Sequence, residues 1–240
     1  MIKQFFLELF FPSFCVGCRQ EGVFLCQDCQ STLEISEYVY CLCSKNPIRL
    51  ATGSTNNKCN RCQDRKLSGL FFALPYKEKF LTRKLIHQFK YEPHIIKELA
   101  KSLAQVVAEH FVLIGQAPIG AWSNSVLVPV PLEIKKLKSR GYNQTEELAK
   151  EFSKLINVPV ISNNLVKIKK TRPQMKLSAK ERVENVKDAF AIKNPAEFAG
   201  RKIFLIDDVY TTGSTLEECA RVLRNAGAKQ VFGITIAREG

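Results

Sequence analysis

The apolar residues of this chain follow two patterns after residue 68, short unbroken runs and a helical repeat. Unbroken runs are typical of buried strands, and apolar residues three or four apart are typical of helices. The runs predict strands at residues 70–76, 125–131, 165–170, 189–192, 202–206 and 230–237. The repeats predict helices at residues 80–89, 95–111, 143–155, 178–186 and 215–225.

Strands and helices alternate in this part of the chain, most clearly around residue 207. Strand 202–206 precedes a polar loop, then a helix that ends at Gly227, then strand 230–237. This order makes the two strands parallel neighbours joined by a right-handed crossover. We therefore predict an α/β fold, an open and mostly parallel sheet with helices on both faces. Ligands of such sheets bind beyond the carboxyl ends of the strands.

The first 68 residues lack these patterns, which predicts a small cysteine-rich module at residues 1–68 and a sheet domain at residues 69–240. Glu8 interrupts the apolar run of residues 1–14 and no small-residue cleavage site follows, which argues against a signal peptide. No apolar run approaches the roughly 20 residues that a membrane span needs. We expect no membrane insertion and a cytoplasmic location. The run instead predicts a short amphipathic helix with an apolar face of Phe5, Leu7, Phe10 and Phe11.

Eight of the nine cysteines lie between residues 15 and 62, in closely spaced pairs. In a chain without a secretory signal, such pairs favour zinc over disulfides. Zinc takes four soft ligands at about 2.3 Å, so one or two structural ions are expected. Sequential and crossed pairing both fit the spacing. The candidate ligands are Cys15, Cys18, Cys26, Cys29, Cys41, Cys43, Cys59 and Cys62.

One of the four pairs, Cys41 and Cys43, is separated by a single residue instead of two. Such a pair has a tighter bite at the metal. Either both thiolates bind through a strained turn, or one binds and another ligand completes the site. Cys219 lies outside the module and is expected in the core.

The polar loop after strand 202–206 combines two carboxylates, four hydroxyls and a glycine. Asp207 and Asp208 can accept from ribose hydroxyls or hold Mg²⁺ through water. Gly213 permits close approach of the backbone, and N–H groups at the start of the following helix favour an anion. The hydroxyls of Thr211, Thr212, Ser214 and Thr215 are further donors to a phosphate.

Residues 204–215 (FLIDDVYTTGST) closely resemble the signature by which type I phosphoribosyltransferases bind 5-phosphoribosyl 1-diphosphate (PRPP). Three further stretches resemble the ComF family of bacterial natural-competence proteins, and together the likeness covers nearly the whole chain. It implies a zinc-ribbon module followed by a type I phosphoribosyltransferase-like domain. The stretches are residues 10–18 (FFPSFCVGC), 127–144 (LVPVPLEIKKLKSRGYNQ) and 170–185 (KTRPQMKLSAKERVEN).

The resemblance also implies roles for individual residues. Asp207 and Asp208, the expected catalytic pair, would contact the ribose. The 5-phosphate would be wrapped by Thr211, Thr212, Gly213, Ser214 and Thr215, and Val209 and Tyr210 would also bind PRPP. The turn after residues 128–131, which include Pro129, would line the pyrophosphate side. Close to it would lie Arg140, Gly141, Asn143 and Gln144. A mobile flap would contain Lys169, Lys170, Arg172 and Gln174, and Lys90–Tyr91 resembles a lysine–tyrosine pair of the family.

Simpler interpretations of three of these features remain open. Arg140 can be a solvated charge, Lys90 a surface residue and residues 167–170 an exposed strand edge. The three histidines, His87, His94 and His110, have no ligand or catalytic partner nearby in sequence, so we expect them to be structural or surface residues.

The composition is basic, with 36 Lys and Arg against 23 Asp and Glu, a net charge of +13. Such a charge suits a phosphate-rich metabolite, a nucleic acid or an anionic surface. The resemblance implies handling of imported single-stranded DNA, with a competence helicase as partner. The PRPP site would then either transfer ribosyl phosphate to an unidentified acceptor with Mg²⁺, or only sense PRPP or a nucleic-acid phosphate. A purine-salvage enzyme is a third alternative, but no nucleobase pocket is marked.

Overall fold

The computed structural model describes residues 12–51, 57–76, 81–91, 96–116, 122–172 and 177–239. Its helices are α1 (Gln27–Ser31), α2 (Leu81–Lys90), α3 (Leu99–Leu113), α4 (Ile134–Arg140), α5 (Gln144–Ile156), α6 (Ala179–Val186) and α7 (Ser214–Asn225). Its strands are β1 (Gly69–Pro75), β2 (Ser125–Pro129), β3 (Leu165–Lys167), β4 (Phe190–Ile192), β5 (Lys202–Tyr210) and β6 (Gln230–Arg238). The apolar face expected at Phe5, Leu7, Phe10 and Phe11 lies outside the described residues.

Four parallel strands form the central sheet in the order β1–β6–β5–β2. β5 and β6 lie in the middle and are nine residues long, with mostly buried side chains on both faces. Such runs are typical of parallel strands that helices cover on both sides. β3 and β4 form a separate antiparallel pair. The predicted open parallel sheet is confirmed.

Two cores, one on each face of the sheet, explain how the helices are arranged. On one face, α3 and α5 pack against each other and over Phe71, Phe204 and Ile234 of the sheet. On the other face, α7 packs over Leu205 and Val231. Cys219 of α7 is buried in the second core, where the sequence predicted it.

The N-terminal module contributes to both cores. Val16, Leu25 and Val39 belong to the core beneath α3, whereas Cys41 and Leu42 belong to the core beneath α7. The later half of the module therefore shares its buried surface with the strand that leads to the predicted phosphate loop. None of the helices in the described ranges has the length and apolar character of a membrane span.

Two elements differ from their predictions. Strand β5 continues to Tyr210, four residues beyond the predicted end at residue 206, so the aspartate pair lies on the strand and the loop begins after it. Helix α4 was not predicted, because its sequence IKKLKSR has no apolar stripe and its side chains are mostly exposed. Smaller differences affect helix and strand ends, where the periodicity fades; the predicted strand 165–170, for example, ends at Lys167.

Candidate functional site

The eight cysteines of the N-terminal module gather in two groups of four. In each group one sulfur atom per residue lies within 4.8 Å of the other three. The first cysteine cluster is Cys15, Cys18, Cys26 and Cys29, and the second cysteine cluster is Cys41, Cys43, Cys59 and Cys62. The pairing is therefore sequential. The closely spaced Cys41 and Cys43 both take part, and the second cluster needs no other ligand.

The sulfur positions suit tetrahedral zinc. With Zn–S bonds of about 2.3 Å, the edge of a regular tetrahedron is about 3.8 Å. The Cys18–Cys26 Sγ distance is 3.5 Å and the Cys43–Cys59 Sγ distance is 3.6 Å. Backbone N–H groups donate to the sulfurs of both clusters, from Ile48 to Cys41 Sγ at 3.1 Å for example, which favours thiolates. Both clusters therefore fit a structural zinc ion.

A cleft of about 560 Å³ opens at the carboxyl ends of β2 and β5. This volume is typical of pockets for small ligands. Seven basic side chains and three acidic ones line it among the described residues, so it favours a polyanion. The basic residues are Arg83, Lys90, Lys136, Arg140, Lys167, Arg172 and Arg182.

Asp208 lies at the base of the cleft and is held from two sides. Lys90 Nζ at the end of α2 is 2.7 Å from Oδ1, and Gln144 Nε2 at the start of α5 donates to Oδ2 at 3.1 Å. Burial favours the neutral acid, but the Lys90 ammonium and these hydrogen bonds outweigh it and lower the pKa of Asp208. Asp208 is therefore a fixed carboxylate.

Asp207 differs from its neighbour although both line the cleft. Burial, reinforced by the nearby negative charge of Asp208, raises the pKa of Asp207 to about 8. Its Oδ1 accepts from the Asp208 N–H, and among the described residues it forms no ion pair. Adjacent carboxyl groups with opposite pKa shifts can have different roles in a site. One stays an anion, and the other can take up a proton or bind a cation.

The predicted phosphate loop connects β5 to α7. Gly213 precedes the helix with φ 77°, a left-handed conformation that glycine adopts without strain. The Ser214 N–H faces Thr212 Oγ1 at 3.4 Å, and Thr212 Oγ1 donates to Ser214 Oγ at 3.1 Å. Thr211, Gly213, Ser214 and Thr215 line the cleft. The loop thus brings hydroxyls and the N-terminus of α7 to one end of the cleft.

Tyr210 is placed differently from the rest of the loop. Its ring is 1% exposed, and its hydroxyl donates to the Leu42 carbonyl at 2.6 Å. A Cβ added at Gly213 would lie 2.5 Å from the ring. Tyr210 thus lines the cleft and also supports the loop from below through its buried ring.

Other predicted residues fall into two groups. Lys90, Arg140, Gln144, Arg172 and Val209 line the cleft. Pro129 is buried at the end of β2, where Val130 and Pro131 line the cleft instead, and Lys170 is exposed outside it. Gln174 lies outside the described residues.

Two polar atoms of the cleft have no hydrogen-bond partner in the part of the chain that the structure describes. Arg140 Nη1 and Gln144 Oε1 are buried and accept or donate no hydrogen bond among the described residues. Arg140 also lies over the Tyr91 ring at 5.2 Å, so it is not the solvated charge of the simpler interpretation. Buried polar atoms are rarely left unpaired, which is consistent with a ligand in the cleft.

Lys167 is the main site residue that the sequence did not single out. It extends from β3 into the cleft, donates to Thr171 Oγ1 at 2.7 Å, and lies 5.8 Å from the Phe190 ring. Burial lowers its pKa. Alternation along β3 could have marked Lys167, because only one side of a strand can face a cleft.

Comparison with known proteins agrees with this arrangement. The phosphoribosyl transferase domain model matches residues 98–240, which contain β2, β5 and the phosphate loop. Competence protein F of Haemophilus influenzae is 31% identical over 95% of this chain and 99% of its own length. The chain belongs to the ComF family. Its place in that family confirms the resemblance drawn from residues 10–18, 127–144, 170–185 and 204–215.

Other ComF-family relatives extend the comparison. DNA utilization protein YhgH of Salmonella typhi is 28% identical over 86% of this chain and 93% of its own length. Competence protein ComFC of Streptococcus pneumoniae is 26% identical over 92% of this chain and 90% of its own length. The predicted combination of a cysteine module and a phosphoribosyltransferase fold therefore holds.

Proposed function

We propose that this chain binds PRPP, or a closely related ribose phosphate, in the cleft at the carboxyl ends of β2 and β5. The observation that carries the proposal is the fixed carboxylate of Asp208 beside a loop of hydroxyls and a helix N-terminus. A carboxylate accepts from ribose hydroxyls, whereas hydroxyls and helix N–H groups donate to a phosphate. The ribose hydroxyls thus have a hydrogen-bond acceptor in the cleft, and the phosphate has hydrogen-bond donors.

The basic side of the cleft suits the pyrophosphate. Arg140 Nη1 has no partner among the described residues, and Lys136 and Arg172 also line the cleft. Arginine can bind two phosphate oxygens at once. Asp207 is the carboxyl group available to hold Mg²⁺, directly or through water. We therefore assign the 5-phosphate to residues 211–215 and the pyrophosphate to the side of Arg140.

Calorimetry with PRPP and Mg²⁺ tests this assignment. Asp208→Asn keeps the size of the side chain but removes its charge, so PRPP affinity should fall about tenfold or more, whereas inorganic phosphate should still compete. Glu197→Gln removes an exposed charge outside the lining of the cleft and serves as the control. Equal PRPP affinity in wild type and Asp208→Asn would contradict the assignment.

A second candidate is transfer of ribosyl phosphate to an acceptor, and the observation that favours it is Asp207. Its raised pKa and its lack of an ion pair among the described residues leave it free to take up a proton or a cation. The acceptor would form a bond to the ribose C1 carbon as the bond to pyrophosphate breaks, and the site would stabilise the departing charge. Pyrophosphate release from PRPP and Mg²⁺ with a panel of nucleobases tests transfer. Binding without release favours a sensor.

We further propose that the chain handles single-stranded DNA in the cytoplasm and works with a helicase. Its relatives are named for competence and for DNA utilization, which supports a role with DNA. The net charge of +13 supports a nucleic-acid partner, and exposed lysines on α4 lie beside the cleft. Binding of a labelled oligonucleotide should weaken steeply with salt, because neutralised phosphates release counterions. Tight binding that is indifferent to salt would contradict this electrostatic account.

A further inference from the structure

Two buried side chains join the second cysteine cluster to the phosphate loop. Tyr210 Oη donates to the Leu42 carbonyl at 2.6 Å, and Arg238 Nη1 donates to the Cys41 carbonyl at 2.9 Å. Arg238 Nη2 donates to the Cys43 carbonyl. The backbone of the Cys41–Cys43 turn is thus bound at every carbonyl by residues at the ends of β5 and β6.

Arg238 is an unusual residue for this position because it is 2% exposed. Its guanidinium lies 5.3 Å from the Tyr210 ring and 5.4 Å from the Phe72 ring. Among the described residues no carboxylate forms an ion pair with it, and its Nε has no partner. A buried cation normally requires a nearby negative charge.

The second cysteine cluster can supply that charge. Four thiolates around Zn²⁺ leave two excess negative charges, and Arg238 binds the carbonyls of two of the four ligands. A metal ion would also fix the turn of residues 41–43, whose carbonyls accept from Arg238 and Tyr210. Metal binding at the cluster therefore bears directly on how firmly Arg238 and the adjoining Tyr210 ring are held in place.

The position of Tyr210 in turn determines the shape of the loop. Gly213 approaches the ring so closely that a Cβ there would lie 2.5 Å from three of its atoms. Ser214, which follows, begins α7. A displacement of the ring would therefore move the N–H groups and hydroxyls that face the cleft.

We infer that Tyr210 and Arg238 are positioning residues that couple metal binding at the second cysteine cluster to ribose-phosphate binding at the loop. The inference rests on the proposed function, because it assigns the 5-phosphate to residues 211–215. Among the described residues no hydrogen bond joins the first cysteine cluster to the loop, and Val16 and Leu25 pack into the core on the face of the sheet opposite α7. Metal loss there should leave the loop nearly unchanged.

Matched cysteine variants of the full chain test the coupling. Cys43→Ser and Cys18→Ser each remove one ligand, from the second and the first cluster respectively. Zinc content should fall from about two to about one per chain in both. PRPP affinity, measured by calorimetry with Mg²⁺, should fall about tenfold or more in Cys43→Ser, and by less than about twofold in Cys18→Ser.

Tyr210→Phe gives a milder test that leaves all eight cysteines in place. It keeps the ring beneath Gly213 and removes only the hydrogen bond to Leu42. Zinc content should stay at about two, and PRPP affinity should fall about three- to tenfold. This variant decides the question if Cys43→Ser does not fold.

Coupling is reciprocal, which provides a readout that a merely structural role would not change. In equilibrium competition with a chromophoric chelator, PRPP should raise the zinc affinity of the second cluster in Cys18→Ser. The same experiment in Cys18→Ser combined with Tyr210→Phe should show a smaller increase.

The outcomes separate the inference from the function on which it rests. If wild type fails to bind PRPP, the proposed function is wrong. If wild type binds PRPP, and both Tyr210→Phe and any folded, zinc-depleted Cys43→Ser bind it equally well, the coupling is wrong although the site stands. An equal loss of affinity in Cys18→Ser and Cys43→Ser would also overturn the inference.

Discussion

The two cysteine clusters offer the same four ligands but meet the rest of the molecule in different ways. Cys18 of the first cluster is exposed, whereas all four cysteines of the second cluster are buried or half-buried. The segment between the clusters is attached to the sheet by a hydrogen bond from Ser36 N–H to the Ala73 carbonyl at 2.7 Å. The second cluster instead shares a core with β5 and α7. Two sites with one chemistry can therefore differ in what they stabilise.

The largest expected difference concerns stability. Loss of a ligand in Cys43→Ser should disturb the core that the cluster shares with the sheet, because the metal's binding energy contributes to folding. We expect the melting temperature to fall by about 10 °C or more, a loss of about 3 kcal/mol or more. Thermal unfolding followed by circular dichroism measures this.

Cys18→Ser is the matched comparison for that experiment. Its cluster is more exposed, so its melting temperature should fall by only a few degrees, about 1 kcal/mol. An equal fall in melting temperature in the two variants would show that the burial of a cluster does not determine its contribution to stability.

A smaller effect is expected at the contact between Tyr210 and the loop. Gly213→Ala places a Cβ against the ring and strains a left-handed backbone, which costs about 1–2 kcal/mol before the contact is counted. PRPP affinity should fall about tenfold or more, because the loop cannot keep its shape above a buried ring.

Gly200→Ala is the control, since Gly200 has a similar φ of 70° but open space around it. It should lower stability by the backbone cost alone and leave PRPP affinity unchanged. If Gly213→Ala also left PRPP affinity unchanged, the contact with Tyr210 would not determine the shape of the loop. The second cluster would then differ less from the first in its effect on the cleft.

The smallest expected effect is a pH dependence at the attachment of the segment between the clusters. His110 Nδ1 donates to the Ser36 carbonyl at 2.6 Å, and burial lowers the pKa of His110. Below about pH 6.5, His110 is protonated in the unfolded chain but stays neutral in the folded chain. The free energy of unfolding therefore decreases as the pH falls. One such proton corresponds to at most about 1.4 kcal/mol per pH unit.

His110→Asn keeps a donor near Ser36 but cannot titrate. Its melting temperature should therefore fall less steeply than that of wild type between pH 6 and pH 5, by about 2–4 °C per pH unit. His87→Asn, at an exposed position, should keep the wild-type slope. If melting temperature depended on pH equally in all three proteins, His110 would not be the cause of the pH dependence.

The fold was predictable because it depends on local signals, and the phosphate-binding role of the loop stays a prediction drawn from such signals. The residue types of Asp207 to Thr215 indicated their chemistry, and the buried runs indicated parallel strands. The pairing of the cysteine clusters was not predictable, because spacing fits both arrangements. The hydrogen bond from Tyr210 to Leu42 was not predictable, since the two residues lie 168 positions apart in the sequence. Arg238 was missed for the same reason, since its partners lie 195 and 197 residues away.

The wide separation of these partners has a consequence for synthesis. Leu42 leaves the ribosome 168 residues before Tyr210, and Cys41 leaves 197 residues before Arg238. At a synthesis rate of about 5–20 residues per second, the residues that bury the second cluster are made on the order of ten seconds after it. Strand β1 is also synthesised long before β6, the strand with which it pairs in the described sheet. During that interval the nascent chain exposes apolar surface and thiols, and early metal capture would protect the thiols from oxidation.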